Sequence, residues 1–322
     1  MPDFAKTLIA WQRVHGRHDL PWQGTRDPYR IWLAEVMLQQ TQVETVIPYY
    51  RRFLERFPDV GALARAAEEE VLRLWSGLGY YARARNLHRA AQVVARERGG
   101  RFPDSPEKLA GLPGIGRTTA AAVAAFAFGR RAAILDGNVP QTQLPRRGIE
   151  RYTQALMDLG ATLCTRDRPR CAVCPVAASC VARRQGRVAD FPARRPRKAP
   201  PEKEVRWLVL LDSGRVLLER RPSPGLWGGL WTFPELPAGS AVRYCRLALG
   251  CEVRLIERLA PLEHAFTHFR LRAWPLVFGL RSGGAPGAAQ PERVWLALAL
   301  APQAAAPAPV KRLLAGLAAT CA

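Results

Sequence analysis

"LPGIGRTTAAAV" occupies residues 112–123, and its reading decides the fold of the N-terminal half. It lies inside "SPEKLAGLPGIGRTTAAAVAAFAFG", which reads as helix, tight turn, helix. Gly114 and Gly116 permit a sharp turn and a close backbone approach. The second helix then offers free N–H groups from Arg117 onward, and its positive end favours a phosphate. A lone Gly-x-Gly is a weak signal, because many helix pairs turn on glycine. The full run Leu-Pro-Gly-Ile-Gly-Arg between two helical segments is a helix–hairpin–helix signature. It predicts a sequence-independent grip on a DNA backbone through Gly114, Gly116 and Arg117.

On either side of the hairpin, residues 3 to about 135 read as helices. "RIWLAEVMLQQTQVETVIPYYRRFLERF" carries apolar residues at helical spacing and predicts two helices meeting near Gln40–Gln42. "EEEVLRLWSGLGYYARARNLHRAAQVVARERGG" predicts a helix, a glycine break and a longer helix ending at Gly99. The chain has 322 residues, enough for two domains, and its 48% hydrophobic content can build a real core. Its formal net charge of +21 favours a polyanionic partner, nucleic acid first. No stretch has the apolar length of a membrane span, and charges interrupt the N-terminal apolar run early. Both features predict a cytoplasmic protein with no membrane partner.

Downstream, "CTRDRPRCAVCPVAASC" places Cys164, Cys171, Cys174 and Cys180 on one short loop. Clustered cysteines in a reducing compartment favour metal over disulfides. Zinc sites usually come as two close pairs separated by a longer loop, whereas this compact arrangement fits a cubane iron–sulfur cluster; zinc remains the alternative. Cys245, Cys251 and Cys321 are scattered and read as ordinary thiols. Residues 183–206 carry nine basic against three acidic side chains, with repeated prolines, and read as a linker. Beyond it the period becomes that of strands. "WLVLLD" and "RVLLERR" flank a hairpin at "SG", and "CEVRLIERL" and "FRLRAWPLVF" are further strands. "SAVRYCRLALG" and "PVKRLLAGLAAT" read as helices, so the second domain is α+β.

Taken together, "WLAEVMLQQTQVETVIPYY", "GLGYYARARNLHRAA", "LPGIGRTTA", "ILDGNV", "QALMDLGATLC" and the four-cysteine loop resemble the MutY family of adenine DNA glycosylases, in the helix–hairpin–helix glycosylase superfamily. The resemblance implies a mostly α glycosylase domain with an iron–sulfur loop over residues 1–182, the linker at 183–206, and a Nudix-like domain over 207–322. It implies a [4Fe–4S] cluster on the four cysteines. It also implies a monomer that acts on double-stranded DNA, removing adenine mispaired with 8-oxoguanine or guanine.

Removal of adenine requires a protonated leaving ring and a stabilised sugar cation, which one carboxylic acid and one carboxylate can supply. Glu35 sits with Ile31, Trp32 and Leu38 one turn away, surroundings that favour a protonated carboxyl. On spacing alone, a buried structural glutamate fits equally well; the family motif favours the acid. Asp136 in "LDGNV" matches the family's second carboxylate, with helix capping as its other role. Asn138 matches a supporting residue. Thr118 stands where strand-nicking relatives carry the lysine that attacks the sugar, so the resemblance implies a monofunctional glycosylase. The chemistry also needs the base extruded from the stack. Gln39, Gln40, Thr41 and Tyr80 match residues that fill or wedge the gap; a core aromatic is the plain alternative for Tyr80. Leu20, Trp22 and Arg26 match the adenine pocket, and Gln154 matches a residue at the base's edge. In "HAFTHF", Phe266, Thr267 and His268 match the loop that contacts 8-oxoguanine. "SAVRYCRLALG" has no Glu, so the Nudix-like domain is expected to bind without hydrolysing.

One stretch departs from the family. Between "ILDGNV" and "QALMDLG" the family has additional helices, but here only "PQTQLPRRGIERYT" intervenes. Pro140 and Pro145 disfavour the helix that would continue from Asp136. The alternatives are therefore a lesion-binding protein with impaired catalysis, and a related glycosylase or lyase for oxidised pyrimidines. Thr118 and the C-terminal domain argue against the second.

Overall fold

The computed structural model describes residues 3–134, 144–191, 200–266, 268–281 and 292–320. Its helices are α1 (Phe4–His15), α2 (Pro28–Leu38), α3 (Val43–Arg56), α4 (Val60–Arg65), α5 (Glu68–Trp75), α6 (Ala82–Arg98), α7 (Pro106–Ala110), α8 (Arg117–Phe128), α9 (Ile149–Thr162), α10 (Val181–Arg184), α11 (Ala241–Ala248) and α12 (Ala308–Thr320). Its strands are β1 (Glu202–Asp212), β2 (Arg215–Arg220), β3 (Trp231–Thr232), β4 (Val253–Arg258), β5 (Leu262–Ala265), β6 (Arg270–Leu280) and β7 (Arg293–Ala297). The chain forms two compact units. One comprises Met1–Ala66 with Ala82–Pro196, the other Ala67–Tyr81 with Arg197–Ala322. No helix among the described residues is long and apolar enough to cross a membrane.

In the first unit α2 is the central helix. Asp27 caps it, accepting from the Tyr29 amide at 2.9 Å, and Pro28 fills the first position. Tyr29, Ile31, Trp32, Leu33, Ala34, Val36 and Met37 are all buried, so α2 is apolar almost all round. It packs on α8, whose run of buried alanines lets the two backbones approach closely. A left-handed Gly129 (φ 63°) ends α8, and the Arg130 amide returns to the Ala124 carbonyl at 2.9 Å. Leu8 of α1 and Ile149, Tyr152, Ala155 and Leu159 of α9 form an adjoining core, which also takes in Ala125, Leu163 and Val176.

The second unit is built on one mixed sheet in the order β3-β2-β1-β6-β4, with β5 paired to β6 and β7 to β2. β1 and β6 run parallel from Glu202↔Arg270 to Leu211↔Gly279. The hairpin read at "SG" is present: Ser213 (φ 47°) and Gly214 (φ 73°) join β1 to β2. Two positive φ values match a turn whose twist suits the strands. Leu208, Leu210, Leu217, Leu236 and Phe278 pack with Cys245 of α11.

Two features differ from the sequence reading. The stretch read as linker is not uniformly irregular, since α10 and a 3-10 turn at Val188–Asp190 occupy its start and β1 its end. Glu202–Arg206 is charged and largely exposed, but its backbone pairs with Arg270–Trp274, and Arg272 reaches both Glu204 and Glu263. Composition hid a strand whose cohesion is main-chain. The second feature is α5, which clusters with the C-terminal sheet: Trp231 Nε1 donates to Glu69 Oε1 at 2.7 Å, and Ser76 Oγ to the Ala306 carbonyl at 2.6 Å.

Candidate active site and nucleic-acid interface

Glu35 lies in the last turn of α2, beside the buried Ala34 and Val36. Its side chain is partly exposed, yet burial of the carboxyl pushes its pKa up to about 7. The cause is desolvation, which penalises the carboxylate. Such a group is a proton donor at neutral pH. Asp136 and Asn138 lie outside the described residues, as does Thr267.

The hairpin has the expected form. Ser105 caps α7 through the Lys108 amide at 3.2 Å, and Pro106 follows it. Gly114 sits at φ 75°, and a Cβ there would come within 2.5 Å of the Asn86 Cβ. Gly116, by contrast, has an ordinary backbone (φ −78°, ψ 169°) and nothing within 4 Å of a Cβ position. Its value is the open approach to α8, whose first turn has no side-chain cap. Arg117 and Thr118 are exposed at that end. An uncapped positive helix end beside an arginine suits a phosphate.

Between α2 and α3 the turn is tightly held. Gln39 Nε2 donates to Thr119 Oγ1 at 3.0 Å. Gln40 is exposed and left-handed (φ 58°), and Thr41 Oγ1 accepts from Arg83 Nη2 at 3.0 Å. Tyr80, in the second compact unit, is also left-handed (φ 49°) and 45% exposed, so it is no core aromatic. Non-glycine residues in this region are uncommon and cost backbone energy.

The segment before α2 is anchored from below. Leu20 is buried and its amide donates to Gln23 Oε1 at 3.2 Å; Gln23 Nε2 donates to the Arg17 carbonyl at 3.0 Å. Trp22 meets Tyr50 edge-on with ring centres 5.4 Å apart, while Arg26 is exposed. The anchor itself is Asp158 of α9, fully buried. It accepts from Arg17 Nε (2.8 Å), the Arg17 amide (3.1 Å), Gln12 Nε2 (3.3 Å) and Gln154 Nε2 (2.9 Å). Gln154 is thus placed beside this carboxylate. Sequence reading missed Asp158 and Arg17. The available signal was a charge on the buried stripe of α9, beside Tyr152, Ala155 and Leu159, because a buried charge must be paired.

Cys164, Cys171, Cys174 and Cys180 form no disulfide. Short 3-10 turns at Cys171–Val173 and Ala177–Ser179 fold the loop back on itself, and Val176 pins it into the α1–α9 core. Burial above all raises the Cys174 thiol, and the nearby Cys180 and Cys171 add to the rise. Among the described residues no group of three or more His, Cys, Asp or Glu is arranged to hold a single metal ion.

In the second unit Phe266 stacks on Phe269 at 4.3 Å, and Lys203 Nζ lies 5.0 Å from the Phe269 ring centre. Trp227 and His264 close around Phe266 at 5.6 and 4.6 Å, leaving His268 exposed beside it.

Residues 33–189 match the HhH-GPD superfamily of base excision DNA repair proteins, and residues 206–316 match the NUDIX domain. The chain is 32% identical over 298 residues to the adenine DNA glycosylase of Buchnera aphidicola subsp. Baizongia pistaciae, covering 85% of each chain. It is 33% identical to the adenine DNA glycosylase of Mus musculus, covering 91% of this chain and 73% of that one. Among solved structures, a thermostable thymine-DNA glycosylase superposes with a TM-score of 0.53 at 27% identity, over 56% of this chain and 95% of that one.

Proposed function

The chain belongs to the adenine DNA glycosylase family, and we propose that it removes adenine mispaired with 8-oxoguanine or guanine from duplex DNA, as a monofunctional, monomeric, cytoplasmic base-excision enzyme. The observation that carries this reading is Glu35, a carboxyl raised to about 7 on the central helix of the hairpin-bearing unit.

The reaction follows from the groups available. Glu35, protonated, donates to a ring nitrogen of the extruded adenine, and the bond to the sugar breaks as the ring leaves neutral. The cation left on the sugar needs an anion, and Asp136 is the carboxylate assigned to it from the family motif, with Asn138 in support. Water then adds to the sugar and gives up its proton to the Glu35 carboxylate, which restores the acid. Thr118 has no amine to displace, so the strand stays intact. Leu20, Trp22 and Arg26 line the base's pocket, with Gln154 at its edge. Gln39, Gln40 and Thr41 occupy the space the base vacates, and Tyr80 is assigned a wedging role from its own match to the family. The left-handed, exposed Gln40 and Tyr80 support that assignment, because strain of this kind collects where function requires it. Gly114, Gly116 and Arg117 hold the backbone, and Phe266, Thr267 and His268 read the lesion.

A [4Fe–4S] cluster on Cys164, Cys171, Cys174 and Cys180 would supply no chemistry to base removal; it would hold the loop after α9 in shape. The compact spacing of the four cysteines, none of them in a disulfide, supports it. The decisive experiment is single-turnover excision from an A·8-oxoguanine duplex by the parent and by Glu35→Gln. The variant keeps duplex binding and loses at least about a hundredfold in excision. A variant that cuts near the parental rate makes Glu35 structural.

A second reading has its own observation, the short proline-bearing stretch after Asp136. On that reading the chain binds lesion-containing DNA and excises adenine slowly.

A further inference from the structure

The end of α2 has no cap of its own. Leu38 is followed by Gln39 at φ −57° and ψ 110°, with no left-handed glycine and no basic residue in the last turn. The final carbonyls of a helix need outside donors. Arg83, the second residue of α6, supplies them. Its Nη1 donates to the carbonyls of Val36 (2.9 Å), Met37 (2.8 Å) and Gln39 (2.5 Å). One nitrogen has two N–H groups for three acceptors, so one hydrogen is shared. Its Nη2 donates to Thr41 Oγ1 at 3.0 Å, and the Thr41 amide takes the Leu38 carbonyl at 3.3 Å. A guanidinium there also sets positive charge against the negative end of the helix.

The grip falls on both sides of Gln40. Gln39 is held by its carbonyl and, through its side chain, by Thr119 of α8; Thr41 is held by its hydroxyl. Gln40 between them stays exposed at φ 58°. A glutamine in that conformation relaxes unless its neighbours are fixed. Three residues after Arg83, Asn86 lies against Gly114 of the hairpin turn. The start of α6, from Arg83 to Asn86, therefore touches both the α2–α3 turn and the hairpin.

We propose that Arg83 is a positioning residue for base extrusion: it fixes Gln39 and Thr41 so that Gln40 is presented to the duplex stack, in register with the phosphate-gripping hairpin seated on Asn86. This rests on the reading that the Gln39–Thr41 turn enters the duplex. Its charge alone is not enough, because the planar fork spans acceptors that a lysine ammonium cannot reach together.

The test compares the full-length parent with Arg83→Gln and Arg83→Lys. Extrusion is read as the fluorescence rise of 2-aminopurine placed next to the adenine of an A·8-oxoguanine duplex. Excision is read in single turnover across pH, and folding by circular dichroism. Folded Arg83→Gln is expected to bind duplex as the parent does and to lose most of the fluorescence rise. Its excision should drop on the order of a hundredfold with the pH midpoint unchanged, as for a misplaced rather than a disarmed site. Arg83→Lys recovers only a small part. Parental fluorescence and rate in folded Arg83→Gln overturn the proposal. So does parental fluorescence with a shifted pH midpoint, which would put Arg83 on the acid instead. If Arg83→Gln does not fold, Arg83→Lys decides, and parental extrusion by it overturns the proposal. A parent that extrudes without cutting counts against efficient excision by this chain, not against Arg83, which is then judged on fluorescence alone. A parent with no fluorescence rise sinks both the turn's role and Arg83's.

Discussion

Glu35 titrates near neutrality because burial disfavours its charge. Excision that depends on its proton is therefore flat below about pH 6 and falls about tenfold per pH unit well above 7; a rate that rises through pH 8 removes Glu35 as the acid. The same shift bears on stability. The folded state holds this proton more tightly than the unfolded chain, so stability is lost as pH rises from the ordinary carboxylate range through about 7. Glu35→Gln should then stabilise the fold at pH 8 by on the order of 2 kcal/mol and much less at pH 4, measured by urea unfolding. Asp158 is a fully buried carboxylate satisfied by four donors. Asp158→Asn leaves the Arg17 guanidinium unpaired and should cost about 3 kcal/mol, read as a lowered urea midpoint; a loss below half of that means the segment around Leu20 is held some other way. Glu35 was legible in the sequence because its neighbours one turn away are apolar. Asp158 was not, because its partners Gln12 and Arg17 stand 146 and 141 residues away and no local pattern joins them.

At the scale of elements, the helix–hairpin–helix and the Ser213–Gly214 hairpin were legible because glycine placement and period state them directly. The sequence could not show that the two hairpin glycines do different work. Gly114 needs a positive φ and lies against Asn86, whereas Gly116 only keeps the mouth of α8 open. Gly114→Ala should cost on the order of 2 kcal/mol and weaken duplex binding. Gly116→Ala should leave stability within about 0.5 kcal/mol and still weaken binding. Thermal melts and binding titrations separate the two; equal destabilisation by both variants would mean the turn is shaped otherwise. The four-cysteine loop reads as a metal site from its spacing, and the structure shows it folded through two short 3-10 turns with Val176 in the α1–α9 core. Purified anaerobically from iron-replete cells, the protein should carry about four irons per chain and absorb broadly in the visible. Stoichiometric zinc in place of iron overturns the cluster.

On the whole molecule, what stayed hidden was how distant segments combine. Composition marked a helical half and a sheet half but gave no sign that α5 packs with the sheet, a union made by contacts such as Trp231 to Glu69 across 162 residues. The largest consequence at this scale concerns the stretch after Ile134. A catalytic carboxylate misplaced by about 1 Å can cost about a hundredfold in rate. In the family, helices follow Asp136 and hold it; here Pro140 and Pro145 stand where they would begin. Yet α9 begins at Ile149 with its core against α1, and Glu35, the hairpin and the Arg83 clamp are all in place among the described residues. The parts assigned to binding and opening the duplex are thus separable from the part assigned to fixing the second carboxylate. The chain as written should bind an A·8-oxoguanine duplex, with affinity falling steeply as salt rises, and excise adenine at least about a hundredfold more slowly than a version carrying a family-type helical insert after Val139. Single-turnover rates of the two proteins, together with resequencing of the locus, decide it. Equal rates from a confirmed sequence would mean that Asp136 is held without those helices, or that Glu35 alone carries the reaction.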